Sequence, residues 1–194
     1  SKEISKKIEE VKKTLPDDLN IEIAFNRATY VGTAIDEVYK TLIIAFILVV
    51  IIIYLFLGNI KAVIVPAVAL PVSLIASFLG LYLFGLSINI FVLLSFILAI
   101  GIITDDSVIM TDAIYRRIEN GESPLIAAYK GSKQISFAII ATTLILVAVF
   151  IPLIFIDGIA GTLFRETAIA LSVSVAVSSF VALTLSPMLA SKFL

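Results

Sequence analysis

Apolar and polar positions fall into two unlike patterns along this chain. In residues 1–15, Ile4, Ile8, Val11 and Leu15 recur at spacings of four, three and four among lysines and glutamates. That spacing predicts a charged helix with one narrow apolar stripe, stopped by Pro16. Pro16-Asp17-Asp18 makes a turn, after which Ile21, Ile23 and Phe25 alternate with Asn20, Glu22 and Asn26. Period two predicts a short half-buried strand. One helix and one strand in about forty residues cannot enclose a core, so the front reads as the end of a larger mixed domain. Residues 33–40 (TAIDEVYK) read as a helical lead-in to the apolar remainder of the chain.

The second pattern is five long apolar segments, at 41–57, 62–84, 88–111, 135–156 and 167–189. Each is about 17–24 residues, near the ~20 that cross ~30 Å of hydrocarbon. Lipid offers backbone polar groups no water, so helices are expected despite the many β-branched residues. The predicted fold class is an α-helical integral membrane protein with five transmembrane helices. The first segment comes after a charged stretch and begins at residue 41, which excludes a secretory signal peptide.

Five spans put the N-terminal part and the C-terminus on opposite sides. Lys61, Arg116, Arg117, Lys130, Lys133 and Lys192 fall in connections or the tail on one side, and only Arg165 on the other. Positive charge favours the cytoplasmic face, so residues 58–61, 112–134 and the C-terminus are expected in the cytoplasm. Within 112–134, Arg116 and Arg117 sit in the last turn of the third helix, with Gly121 as its stop. Ser123-Pro124 should then open a short interfacial helix with Leu125, Ala128 and Tyr129 on one face.

Composition agrees and adds exclusions. The 194 residues are 60% hydrophobic and 15% charged, with mean hydropathy +1.14. Fifteen of the 29 charged residues lie in the first forty. A net charge of −1 without a basic patch argues against a nucleic-acid partner. The sequence has neither Cys nor His, the usual ligands of zinc and haem, so no metal or cofactor is expected.

Against this apolar background Asp105 and Asp106 stand out in the third span. A carboxylate at such depth costs roughly 2.5–3.5 kcal/mol on insertion scales, and ionisable residues there usually mark ion or proton pathways. Neighbouring helical positions differ by about 100°, so the pair should form a broad edge toward the bundle interior. Asp112 lies two turns further along the same face. An intramembrane protease dyad is disfavoured, because both acids sit on one helix and no other span contains an acid. No span supplies a mid-depth Lys or Arg either, so the counter-cation should come from elsewhere. Thr142 and Thr143 are mid-span hydroxyls suited to a secondary relay or packing role, and Gly101, one turn before Asp105, permits a close neighbour. In the fifth span Ala170, Ser174, Ser178, Ala182 and Ser186 form a ridge of small residues for helix packing. Pro66 and Pro71 are expected to shape the second span.

The stretch Ala99-Ile100-Gly101-Ile102-Ile103-Thr104-Asp105-Asp106, with Ile114-Tyr115-Arg116-Arg117 beyond it, resembles the resistance-nodulation-division (RND) efflux permeases of the hydrophobe/amphiphile multidrug branch. Tyr54-Leu55-Phe56-Leu57-Gly58-Asn59, the Pro66/Pro71 spacing, Phe84-Gly85-Leu86-Ser87-Ile88-Asn89, Ala148-Val149-Phe150-Ile151-Pro152 and Leu185-Ser186-Pro187 extend the likeness over essentially the whole chain. The resemblance implies spans two to six of the N-terminal membrane half. Residues 1–40 would be the end of a ferredoxin-like periplasmic porter subdomain. It also implies a trimeric secondary transporter of the bacterial inner membrane, not an enzyme, driven by proton antiport with Asp105 and Asp106 as the proton relay. A periplasmic adaptor and an outer-membrane channel would be its partners. The remaining permease half would bring the intramembrane Lys, making this chain a fragment or split half. A non-transporting scaffold or assembly subunit derived from such a permease is the alternative, and a lipid or protein translocation relative is a third reading.

Overall fold

The computed structural model describes residues 7, 8, 11, 27–86 and 89–194. Lys7, Ile8 and Val11 are helical. The rest of the expected first helix and the expected strand at 21–25, and with them the ferredoxin-like subdomain end, lie outside the described residues. The chain divides into two compact units, Ser1–Glu37 and Val38–Leu194.

Among the described residues five long helices come in the order α1 (Arg27–Leu57), α2 (Ile60–Leu83), α3 (Ile90–Glu119), α4 (Pro124–Phe150) and α5 (Gly158–Phe193), with a 3-10 turn at Ile151–Phe155. All five have the length and apolar character to cross a membrane, and no strand occurs among the described residues. The chain is an α-helical, multi-pass membrane protein.

Helix ends depart from the hydropathy limits for local reasons. The lead-in at 33–40 is continuous with α1, because it contains no breaker. The expected interfacial helix is not separate: α4 starts at Pro124 and runs without a break into the fourth span as far as Phe150. Its contact face also differs from expectation. Ala127, Ala128 and Gly131 are buried, whereas Leu125 and Tyr129 are exposed. Small residues take the interface because helix backbones approach closely there. At the other end α4 stops at Phe150, and the 3-10 turn containing Pro152 takes over. Proline lacks the N–H that would bond the Ala148 carbonyl. Gly121, at φ +90°, ends α3 as expected and donates its N–H to the Ile118 carbonyl. Only glycine adopts that conformation without strain.

The long α5 is the element around which the others pack, meeting α2, α3 and α4. Its ridge of Ala170, Ser174, Ser178, Ala182 and Ser186 is at most 2% exposed throughout. Gly80 of α2 faces it so closely that a Cβ would stand 2.5 Å from Val173 Cγ1. On α1, Leu42, Ala45, Phe46 and Val49 pack against the cluster of Leu70, Ala99, Ile100, Ile103 and Leu171. A second cluster joins Val65, Met110, Ile114, Ala127, Ala128, Ile139 and Ala190. Pro66 and Pro71 lie inside an unbroken α2.

Two hydrogen bonds tie the helix ends. Asn59 caps α2 by accepting from the Lys61 N–H, and its amide donates to the Tyr115 hydroxyl at 2.9 Å. Asn89 caps α3 by accepting from the Val92 N–H, and its amide donates to Glu166. Residues 59 and 115 thus share one end of the bundle, and 89 and 166 the other, as alternating spans require.

Most hydroxyls in the apolar spans bond to a carbonyl one turn back in their own helix, as Ser77, Ser95, Thr104, Thr111, Ser174 and Thr184 do. That local bond satisfies the group without a partner helix. Ser107 and Ser186 differ: their hydroxyls meet across α3 and α5 at 2.9 Å. A double-mutant cycle on Ser107→Ala and Ser186→Ala should give a coupling of about 0.6 kcal/mol, read from thermal unfolding in detergent. Zero coupling would mean the pair adds nothing beyond packing.

Candidate functional site

Asp105 and Asp106 lie midway along α3, with fifteen helical residues before the pair and thirteen after. At 1.5 Å per residue each is ~20 Å from either helix end. The helix is continuous through them because its apolar flanks carry no Pro, and Gly101 is its one glycine.

The two carboxyls have different surroundings. Asp106 is half-buried, and its Oδ2 accepts a hydrogen bond from Ser179 Oγ of α5 at 2.7 Å. Ser179 is 5% exposed and its hydroxyl also pairs with Thr143 of α4. Thr143 Oγ1 also lies 2.7 Å from the Ile139 carbonyl, so its one proton serves either that oxygen or Ser179. Asp105 is exposed on the bundle surface and makes no hydrogen bond or ion pair with any described residue. The expectation that both acids face the interior therefore needs correcting: α5 meets the Asp106 side of α3, and the 100° step carries Asp105 outward.

Asp105 separates two clefts of about 300 Å³ each. One lies between α3 and α4, where Asp105 and Asp106 face Thr142, Ile145 and Leu146. The other lies between α1 and α3, where Asp105, Gly101 and Thr104 face Val49, Ile53 and Phe56. Neither cleft is lined by a cation among the described residues. Ion pairs lie instead at the far end of α3, joining Arg116 to Asp112 at 2.8 Å and both Arg117 and Lys130 to Glu122. Asp112 is thus occupied by Arg116, away from the pair.

The other residues expected here are placed unequally. Thr142 lines the α3–α4 cleft, but its hydroxyl bonds to carbonyls of its own helix. Thr143 reaches Asp106 through Ser179. Gly101 lies on the Asp105 face with nothing within 4 Å of where a Cβ would stand, so among the described residues it meets no close neighbour. Sequence reasoning passes over Ser179 because it lies off the small-residue ridge. The adjacent hydroxyls of Ser178-Ser179 at mid-span are the signal that could have found it. Together the group offers two carboxyls able to gain or lose protons, one held by hydroxyls and one open to whatever fills the clefts.

The AcrB/AcrD/AcrF family profile matches residues 1–194, the whole chain. The chain belongs to the AcrB/AcrD/AcrF family. It is 40% identical over 186 residues, 96% of its length, to "Multidrug resistance protein MdtC" of Shigella flexneri. The same figures hold for the proteins of that name from Escherichia coli O139:H28 and Escherichia fergusonii. These matches bear out the resemblance to RND multidrug efflux permeases, and they make the chain a homologue of a transporter rather than of an enzyme. The chain spans 18% of the length of these relatives.

Proposed function

We propose that this segment couples proton movement to drug export within an RND multidrug efflux permease, with Asp105 and Asp106 as the proton relay. The observation that carries the reading is a pair of mid-helix carboxyls without an ion pair among the described residues, bordered by apolar clefts. Ionised, the pair calls for a cation or water; protonated, it does not. A group whose demands change this much with one proton is suited to switch helix packing.

The permease needs more than this chain. A partner segment carrying an intramembrane Lys fills the clefts beside Asp105, which is where the open Gly101 face would accept a close helix. Loop charges put the N-terminal part in the periplasm, as the end of a porter subdomain, and the C-terminus in the cytoplasm. The bonds from Asn59 to Tyr115 and from Asn89 to Glu166 agree with that alternation. The working unit is a homotrimer in the inner membrane, joined by a periplasmic adaptor and an outer-membrane channel.

The test is proton-dependent dye efflux by the assembled permease carrying Asp105→Asn or Asp106→Asn. Loss of efflux at normal protein levels is expected. Undiminished efflux in both would remove the coupling role and favour a non-transporting scaffold or another proton site.

A further inference from the structure

We infer that Ser179, backed by Thr143, is the positioning residue for Asp106, holding its carboxyl in one orientation in both protonation states; the inference rests on the proton-coupling reading. Among the described residues, hydroxyl bonds between spans gather near this point: Ser107 with Ser186, Ser178 to the Ile103 carbonyl, Ser179 to Asp106, and Thr143 with Ser179. Of these, only Ser179 touches an ionisable group.

The chemistry of a hydroxyl fits the task. Serine Oγ carries one proton and two lone pairs, so it can donate or accept. When Asp106 is ionised, Ser179 donates to Oδ2 at 2.7 Å. When Asp106 gains a proton from the aqueous side, its new O–H can donate to Ser179 Oγ. The serine proton then turns to the Val175 carbonyl, 3.1 Å away. The O–H bond of Ser179 is turned and never broken, and no polar atom loses its partner in either state. A pure donor would serve only the ionised form, and a pure acceptor only the protonated one. Thr143 fixes the serine from the far side by donating its one hydroxyl proton to Ser179 Oγ, which has lone pairs for it in both states; the Ile139 carbonyl, 2.7 Å away, is the alternative acceptor it gives up.

Asp106 meets one other titratable group in its cleft, Asp105. The faces presented by α4 and α5 there are Thr142, Ile145, Leu146 and Ser179, and α1 adds only apolar side chains to the neighbouring cleft. Ser179 therefore makes the two acids inequivalent. Asp106 is the held carboxyl, and Asp105 is the one free to meet a cation.

The experiment uses the assembled permease in proteoliposomes, read by infrared difference spectroscopy on protonation and by efflux. Asp106→Asn identifies the carboxyl band belonging to Asp106. Ser179→Ala should move that band to higher frequency, because a hydrogen bond to the carboxyl is lost, and should lower efflux several-fold. Ser179→Thr should restore both. Ser178→Ala removes a bond of similar burial to a backbone carbonyl, and should leave the band in place. An Asp106 band unmoved by Ser179→Ala would overturn the inference while leaving proton coupling intact. Full efflux in Asp106→Asn would instead overturn the reading on which the inference rests.

Discussion

Asp105→Asn and Asp106→Asn should each reduce proton-driven efflux to the background of cells lacking the permease, with protein levels unchanged. An amide neither binds nor releases a proton near neutral pH, so the loss is of coupling and not of fold. The amide introduced by Asp106→Asn keeps an oxygen that can accept from Ser179. Asp105→Asn disturbs no hydrogen bond among the described residues, where Asp105 makes none. The energies are of matching size. One proton falling through about 100 mV yields about 2.3 kcal/mol, close to the ~2.5–3.5 kcal/mol cost of an ionised carboxylate at mid-depth. Removing the charge therefore removes a term as large as the driving force. Dye efflux from energised cells, with permease quantity checked by immunoblot, measures this directly. Retained efflux in Asp105→Asn with loss in Asp106→Asn would assign coupling to the held carboxyl alone.

Gly131→Leu should destabilise the bundle more than any other single glycine substitution in α2–α4. A Cβ at this position would stand 2.9 Å from Ile114 Cγ1, 3.2 Å from Ile114 Cα and 3.3 Å from its backbone nitrogen. Two of these atoms are backbone of a neighbouring helix, so rotamer changes cannot relieve the contact. Ile114 is fully buried and anchors the cluster with Met110, Ala127 and Ala190. Forcing α3 and α4 apart should cost about 1–3 kcal/mol, the usual range for overpacking. Thermal melting followed by size-exclusion chromatography in detergent should show a lowered midpoint. Gly101→Ala makes the contrast: nothing described stands within 4 Å of its added Cβ, so this segment's own packing should not change. If Gly131→Leu melts like the parent, the close α3–α4 crossing is not a determinant of stability. The same crossing fixes the half of α3 beyond Asp106, and so bears on the site as well as on the fold.

The structure separates two small-residue features that look alike in one dimension. The α5 ridge is buried along its whole length, as its four-residue repeat implies. Gly101 has the same sequence appearance but opens on a cleft, whereas Gly80 and Gly131, which carried no sequence argument, are at close contacts between helices. Spacing within one helix indicates which residues share a face. It does not say which neighbour that face meets.

The sequence by itself determined the five membrane helices, the depth of Asp105 and Asp106, the family, and the packing ridge of α5. The family rests on the motifs around the aspartates and along the chain; the rest follows from the thickness of hydrocarbon, the cost of charge within it and the 3.6-residue turn, all of which act along a single segment. The tertiary structure decided that the helix opening at Pro124 continues into the fourth span, that Asp106 is bonded while Asp105 is open, and that Ser179 and Thr143 stand behind Asp106. Those outcomes depend on how each helix is rotated and staggered against its neighbours. Rotation and stagger arise from contacts such as Gly131 on Ile114 and Ser178 on Ile103, between residues far apart in the chain.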